Sequence, residues 1–123
     1  MWSAPMKVNQ TPNGAAAFLP SVEVADDGTV GVTYYDIRNN TATPSLPTDV
    51  WIVHSHDAGA TFGSEAHVAG PFDFTTAPDA GGYFLGDYEG LGSIGNAFAP
   101  FFAATNSGNT ANPTDIYFTT ASP

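Results

Sequence analysis

The sequence predicts an all-β fold built from short antiparallel strands. No stretch places apolar residues at the spacing of an amphipathic helix, whereas several short runs are rich in β-branched and aromatic residues. The 123 residues include 13 Gly and 10 Pro, and only 11% are charged, a composition that favours many turns. Related segments also recur at a spacing of roughly 65 residues, which indicates a repeat architecture.

The first group of strands follows from alternation and turn residues. Residues 17–25 and 30–37 read as two strands joined by an Asp-Asp-Gly-Thr turn, in which Gly28 supplies a positive φ. A polar loop over residues 38–48 leads to a third strand at 49–54, and a fourth extended run covers 66–69. We therefore expect one four-stranded sheet within residues 15–70.

The connection between the third and fourth strands, residues 55–62, has interpretable turn chemistry. Asp57 can accept hydrogen bonds from the amides that follow it, and Gly59 tolerates a positive φ. The hydroxyls of Ser55 and Thr61 can satisfy other polar groups of the turn, while Phe62 should fold back into the core. From these residues alone, an ordinary hairpin turn explains the segment equally well.

The pattern Ser-x-Asp-x-Gly-x-Thr-Phe over residues 55–62 resembles the Asp-box, or BNR repeat, of the sialidase-like β-propellers. In that family the box connects the third and fourth strands of a blade on the face away from the active site. The resemblance therefore implies propeller architecture, within a six-bladed ring, and not catalysis. It also implies an extracellular, secreted protein.

The internal repeat divides residues 1–123 into one unit of two blades. Residues 83–121 form a second blade without an outermost strand, since residues 114–119 repeat 48–53 and the repeat stops there. Residues 1–10 supply a spare outermost strand, with Trp2 over Phe62 and Val8 over Val68. Whether this strand completes its own second blade or that of a neighbour stays open.

Two blades alone leave two large apolar faces exposed, so we expect copies to associate. Three copies would complete a closed ring of six blades, and an open assembly forms if the rotation does not close. A glycan is a possible further partner. The formal net charge of −10, with two Lys and Arg in total, disfavours nucleic acid and anionic membranes.

Two clusters are candidate sites. By resemblance, Tyr88 stands where sialidases place a nucleophilic tyrosine, with Asp87 or Glu89 to take its proton; a structural inner-strand motif is the alternative. Asp36, Arg38 and Tyr35 lie at the end of a strand whose loop can face a central channel and bind a ligand. A local salt bridge and turn is the alternative there.

The sequence predicts neither a cofactor nor a metal site, and its lack of cysteine excludes thiolate ligands and disulfides. Sialidases bind the substrate carboxylate with three arginines, whereas this chain has one arginine. We therefore expect a non-catalytic Asp-box module that acts as a self-assembling scaffold or a glycan-facing surface. The alternative is a fragment of a secreted exo-α-sialidase-like glycoside hydrolase, inactive as this chain alone.

Overall fold

A computed structural model describes residues 1–41, 43–87 and 89–123, and its fold is all-β, as predicted. Two antiparallel sheets follow one another along the chain. The first sheet contains β1 (Ala17–Val24), β2 (Val30–Asp36), β3 (Pro47–Ser55) and β4 (Ala66–Asp73). The second contains β5 (Gly90–Ile94), β6 (Ala97–Thr105) and β7 (Thr114–Phe118). In both sheets the strands are neighbours in chain order, so hairpins and short loops suffice as connections.

The register of β2 against β3 gives the first sheet two different faces. Val32 lies opposite Val53 and Tyr35 lies opposite Val50, and successive residues point to opposite faces. We call the face with Val32, Tyr34 and Val53 the front, and the face with Tyr35 and Val50 the back. All five residues are buried.

The back of the first sheet packs against the front of the second sheet, which carries Phe98 and Phe102. Tyr35, Val50 and Phe102 form one buried cluster, and Phe98 joins a second. Gly31 lets the Phe98 ring lie directly on the backbone, because a Cβ at that position would stand 2.5 Å from the ring. This interface forms the common core of the two sheets.

The other face of the second sheet, its back, is largely uncovered. Phe101 pairs with Phe118 and Ala103 with Ile116, so these side chains share one face. Phe101, Ile116 and Phe118 are 48%, 73% and 53% exposed. An apolar surface of this kind is typical of an interaction site.

The N-terminal segment departs from the prediction of an outermost strand. Residues 1–10 form no strand, and residues 1–7 are exposed. Val8 packs instead on the front cluster of Val32, Tyr34 and Val53, and the Gln10 amide nitrogen Nε2 donates to the Gly63 carbonyl oxygen at 2.9 Å. These contacts hold the segment on the first sheet, on the side of the molecule opposite to the back of the second sheet.

The described residues between the sheets form little regular structure. A single 3₁₀ turn, Phe74–Thr76, follows β4, and the second sheet begins at Gly90, although the repeat led us to start the second unit at residue 83. Within the part of the chain that the structure describes, no helix has the length and apolar character needed to cross a membrane.

Candidate functional site

The turn after β3 contains a dense set of hydrogen bonds centred on Asp57. Its carboxylate accepts bonds from the Ser55 hydroxyl at 2.7 Å and from the Thr61 amide and hydroxyl at 2.8 and 2.6 Å. The Gly59 amide donates to the Ser55 hydroxyl oxygen at 2.9 Å, with φ of +85° at Gly59. Bonds from Thr61 and Ser55 lower the pKa of Asp57 to about 2.

Phe62 closes this turn by packing on the front cluster of the first sheet. All five residues of the motif therefore stabilise the same turn: Ser55, Asp57, Gly59, Thr61 and Phe62. Their polar groups are directed at one another and at the local backbone. The arrangement stabilises the β3–β4 connection and leaves little polar capacity for a ligand.

Arg38 lies at the centre of a second polar cluster, on the front of the first sheet where β2 ends. Its Nε donates to Asp36 Oδ2 at 2.6 Å and its Nη1 donates to Glu65 Oε2 at 2.7 Å. Its Cζ stands 3.9 Å from the centroid of the Trp51 ring, a cation–π contact. The guanidinium is thus engaged on two edges and one face.

Asp36 is fully buried, and neighbours satisfy its carboxylate. Thr11 Oγ1 donates to Oδ2 at 2.6 Å, and Trp51 Nε1 donates to Oδ1 at 3.0 Å. Burial by itself raises the pKa of Asp36, but the hydrogen bonds from Arg38 and Thr11 hold it below its ordinary value. Asp36 and Arg38 therefore meet as an internal ion pair, which is the salt-bridge alternative that the sequence left open.

Glu65 and Trp51 belong to this cluster, although the sequence analysis did not identify them. The Tyr34 hydroxyl and the Gln10 backbone N–H both donate to Glu65 Oε1. One sequence signal was present, since Tyr34 and Asp36 share a face of β2 and Arg38 continues the same two-residue spacing just beyond its end. Glu65 follows the 55–62 turn in the sequence. Its distance along the chain from Arg38 gives no indication that the two side chains meet.

Tyr35, predicted to bind a ligand with Asp36 and Arg38, points to the other face and is 1% exposed. Its ring stacks on Phe18 with centroids 5.4 Å apart, and its hydroxyl donates to the Ala103 carbonyl oxygen at 2.7 Å. Tyr35 therefore bridges the two sheets and offers no surface to a ligand.

Glu89 places its carboxylate in the same buried region. Neither of its oxygens has a hydrogen-bond partner among the described residues. The one hydroxyl proton of nearby Tyr35 is already donated to Ala103. Burial raises the pKa of Glu89 to about 7, and a protonated carboxyl has the advantage that it can donate to the Tyr35 hydroxyl oxygen.

The other two residues of the predicted catalytic cluster do not add a described group beside Glu89. Asp87 is exposed, and Tyr88, predicted as the nucleophile, lies outside the described residues. Over residues 1–41, 43–87 and 89–123, no group of three or more His, Cys, Asp or Glu is arranged to hold a metal ion.

Comparisons of the chain with family models, with curated proteins and with solved structures gave no match.

Proposed function

We propose that this chain is a non-catalytic Asp-box module that assembles with further copies of itself, stacking sheet on sheet, as two blades of a propeller-like scaffold. The proposal rests above all on the exposed back of the second sheet. Burying Phe101, Ile116 and Phe118 there removes a large apolar area from water, at about 25 cal/mol per Å².

The internal repeat identifies what should cover this face. The residues at 114–119 repeat those at 48–53, so Ile116 and Phe118 are equivalent to Val50 and Ile52. Val50 and Ile52 are 0% and 3% exposed, because the front of the second sheet covers them. The natural cover for the back of the second sheet is therefore the front of a first sheet, supplied by another copy.

The front of the first sheet has room for such a partner. Val22 and Val24 lie opposite Val32 and Val30 on this face, and they are 63% and 56% exposed. A back-to-front contact joins two different surfaces, so it continues from copy to copy until a ring closes. Three two-sheet units in a closed ring, or an open series of units, satisfy this geometry.

The polar clusters support the non-catalytic half of the proposal. The single arginine is held by Asp36, Glu65 and Trp51, and it has little capacity left to bind a substrate carboxylate. The sialidase-type alternative draws support from the raised pKa of Glu89, which suits an acid–base group. The buried position of its carboxylate, beneath the sheet interface, favours a structural role instead. A glycan-facing surface remains part of the proposal on the strength of the Asp-box resemblance.

Replacing Ile116 with Glu tests the proposal directly. Ile116 is 73% exposed, so a single unit should fold normally, whereas a charge buried in a sheet-to-sheet contact should abolish association. Light scattering coupled to size exclusion should give oligomers for the wild type and a monomer for I116E. Asp79→Lys, a charge change at another exposed site, is the control and should leave the mass unchanged. Equal masses for wild type and I116E overturn the proposal.

A further inference from the structure

We propose that residues 2–9 of one copy form the fourth strand of the second sheet of a neighbouring copy, pairing along β7. This inference rests on the proposed function, because it specifies how two stacked copies are joined. It concerns the edge of the second sheet, whereas the stacking contact concerns its face.

The position of Val8 is the first observation that supports strand exchange. In the repeat, Val8 is equivalent to Val68 of β4. Val68 projects from the first sheet onto the front of the second sheet, where it packs on the clusters of Phe98 and Phe102. Val8 packs on the front of the first sheet, against Val32 and Tyr34. Val8 therefore contacts the front of the first sheet as Val68 contacts the front of the second sheet. This is the contact expected from the outermost strand of a sheet stacked on the first sheet.

The exposure of the preceding residues is the second observation. Residues 1–7 are exposed, and Trp2 is 99% exposed. Within the described residues, the backbone amide and carbonyl groups of residues 1–9 make no hydrogen bond to another segment. These groups can therefore pair with a strand edge. β7 presents such an edge, since β6 is its only strand partner among the described residues.

The repeat also predicts the register of this pairing. In the first sheet, Trp51 lies opposite His67 and Ile52 lies opposite Ala66. The equivalent pairs are Tyr117 with Lys7 and Phe118 with Met6. A one-residue slip would exchange the faces of all these side chains, and it would remove Val8 from the stacked interface.

Charge complementarity supports the same register. In the first sheet, His67 Nε2 lies 2.8 Å from Asp49 Oδ1. The equivalent residues are Lys7 and Asp115, which carry opposite charges. Asp115 is exposed, and hydrogen bonds from Asn106 and Asn112 lower its pKa, so it is ionised at neutral pH. Lys7, the single lysine of a chain with a net charge of −10, is thus placed opposite a carboxylate.

Disulfide cross-linking tests the exchange, because the chain has no native cysteine. Lys7→Cys and Tyr117→Cys single variants, mixed in equal amounts and mildly oxidised, should give a covalent pair of twice the 12.8 kDa chain mass. Asp79→Cys replaces Lys7→Cys in the control mixture and should remain uncross-linked. The double variant Lys7→Cys/Tyr117→Cys should give a ladder of linked chains on a non-reducing gel.

Two results overturn the inference while leaving stacking intact. One is an oligomer that I116E disrupts but that gives no specific cross-link. The other is a double variant that closes within one chain and migrates as a monomer, since the strand then completes its own sheet. A wild type that is monomeric in solution contradicts stacking itself. The two proposals therefore fail separately.

Charge reversal provides a second readout. Lys7→Glu places two like charges together and should weaken association about 2- to 5-fold, the range of an exposed ion pair. Combining it with Asp115→Lys should restore the wild-type value. A double variant that is no better than Lys7→Glu alone contradicts the predicted register.

Discussion

The back faces of the two sheets hold equivalent residues in opposite surroundings. Val50 and Ile52 of the first sheet are 0% and 3% exposed, whereas Ile116 and Phe118 of the second are 73% and 53% exposed. The residue types differ little, so apolar character alone does not decide burial. The difference lies in the cover, since the second sheet packs on the back of the first, whereas the back of the second sheet faces solvent.

The two sheets also differ in polar structure. At the end of β2 the first sheet carries Asp36 and Arg38 within a closed set of ion pairs. The strand registers make Ala104 and Asn106 their equivalents in the second sheet, and neither of these side chains carries a charge. The first sheet thus has internal reinforcement of its fourth strand, through Glu65 just before β4. Among the residues that the structure describes, the second sheet has neither this reinforcement nor a fourth strand.

Removing the aromatic ring at the sheet interface should have the largest effect on stability. Phe98 is 1% exposed, and Phe98→Ala should lower the free energy of unfolding by about 3–5 kcal/mol, through lost burial and the cavity left over Gly31. Phe101→Ala is the matched control on the same strand but the opposite face, and it should change little in dilute monomer. Urea denaturation compares the two, and equal losses would contradict the assigned faces.

Breaking the polar cluster of the first sheet should have a slightly smaller effect. Arg38→Ala leaves the fully buried Asp36 carboxylate without its cation and should cost about 3 kcal/mol. Asn106→Ala, at the equivalent place in the second sheet, should cost well under half as much. Thermal and urea unfolding measure both. A mild effect of Arg38→Ala, with a marked loss of ligand binding instead, would indicate a recognition role for the arginine.

The smallest expected effect is a pH dependence of the free energy of unfolding, which arises from the buried Glu89 carboxyl. The pKa of Glu89 is about 7 in the folded chain, above its ordinary value of 4.5. The unfolded chain therefore releases this proton first, so stability should fall as the pH rises from about 4.5 through 7 and then level off. Glu89→Gln should remove the part of this loss of stability that comes from Glu89. The free energy of unfolding, measured at pH 5 and pH 8 for both proteins, checks this prediction. If the variant shows the same difference between the two pH values as the wild type, the pH dependence does not come from Glu89.

Local chemistry made the first sheet largely predictable. Its strands lie where alternation and turn residues indicated, and Asp57 accepts the backbone bond expected from the turn sequence. The three strands of the second sheet were predictable as well, because their segments repeat those of the first sheet. These features depend on neighbouring residues and on strand periodicity, both of which can be read along the chain.

Features that depend on distant contacts were not predictable. The position of residues 1–10 on the first sheet depends on where Val8 finds an apolar surface. The burial of Glu89 and Tyr35 depends on how the two sheets pack. Glu65 joins Arg38 only because β4 folds back along β3. None of these contacts leaves a spacing pattern in the sequence.

The mass of the wild-type chain in solution, measured by light scattering over a range of concentrations, tests the central claim most directly. Back-to-front stacking predicts association. A single species of three chain masses corresponds to a closed ring of six sheets, and a concentration-dependent series of larger species corresponds to an open assembly. A compact monomer of 12.8 kDa at every concentration would contradict the claim, since the exposed back of the second sheet would then be stable in water without a partner.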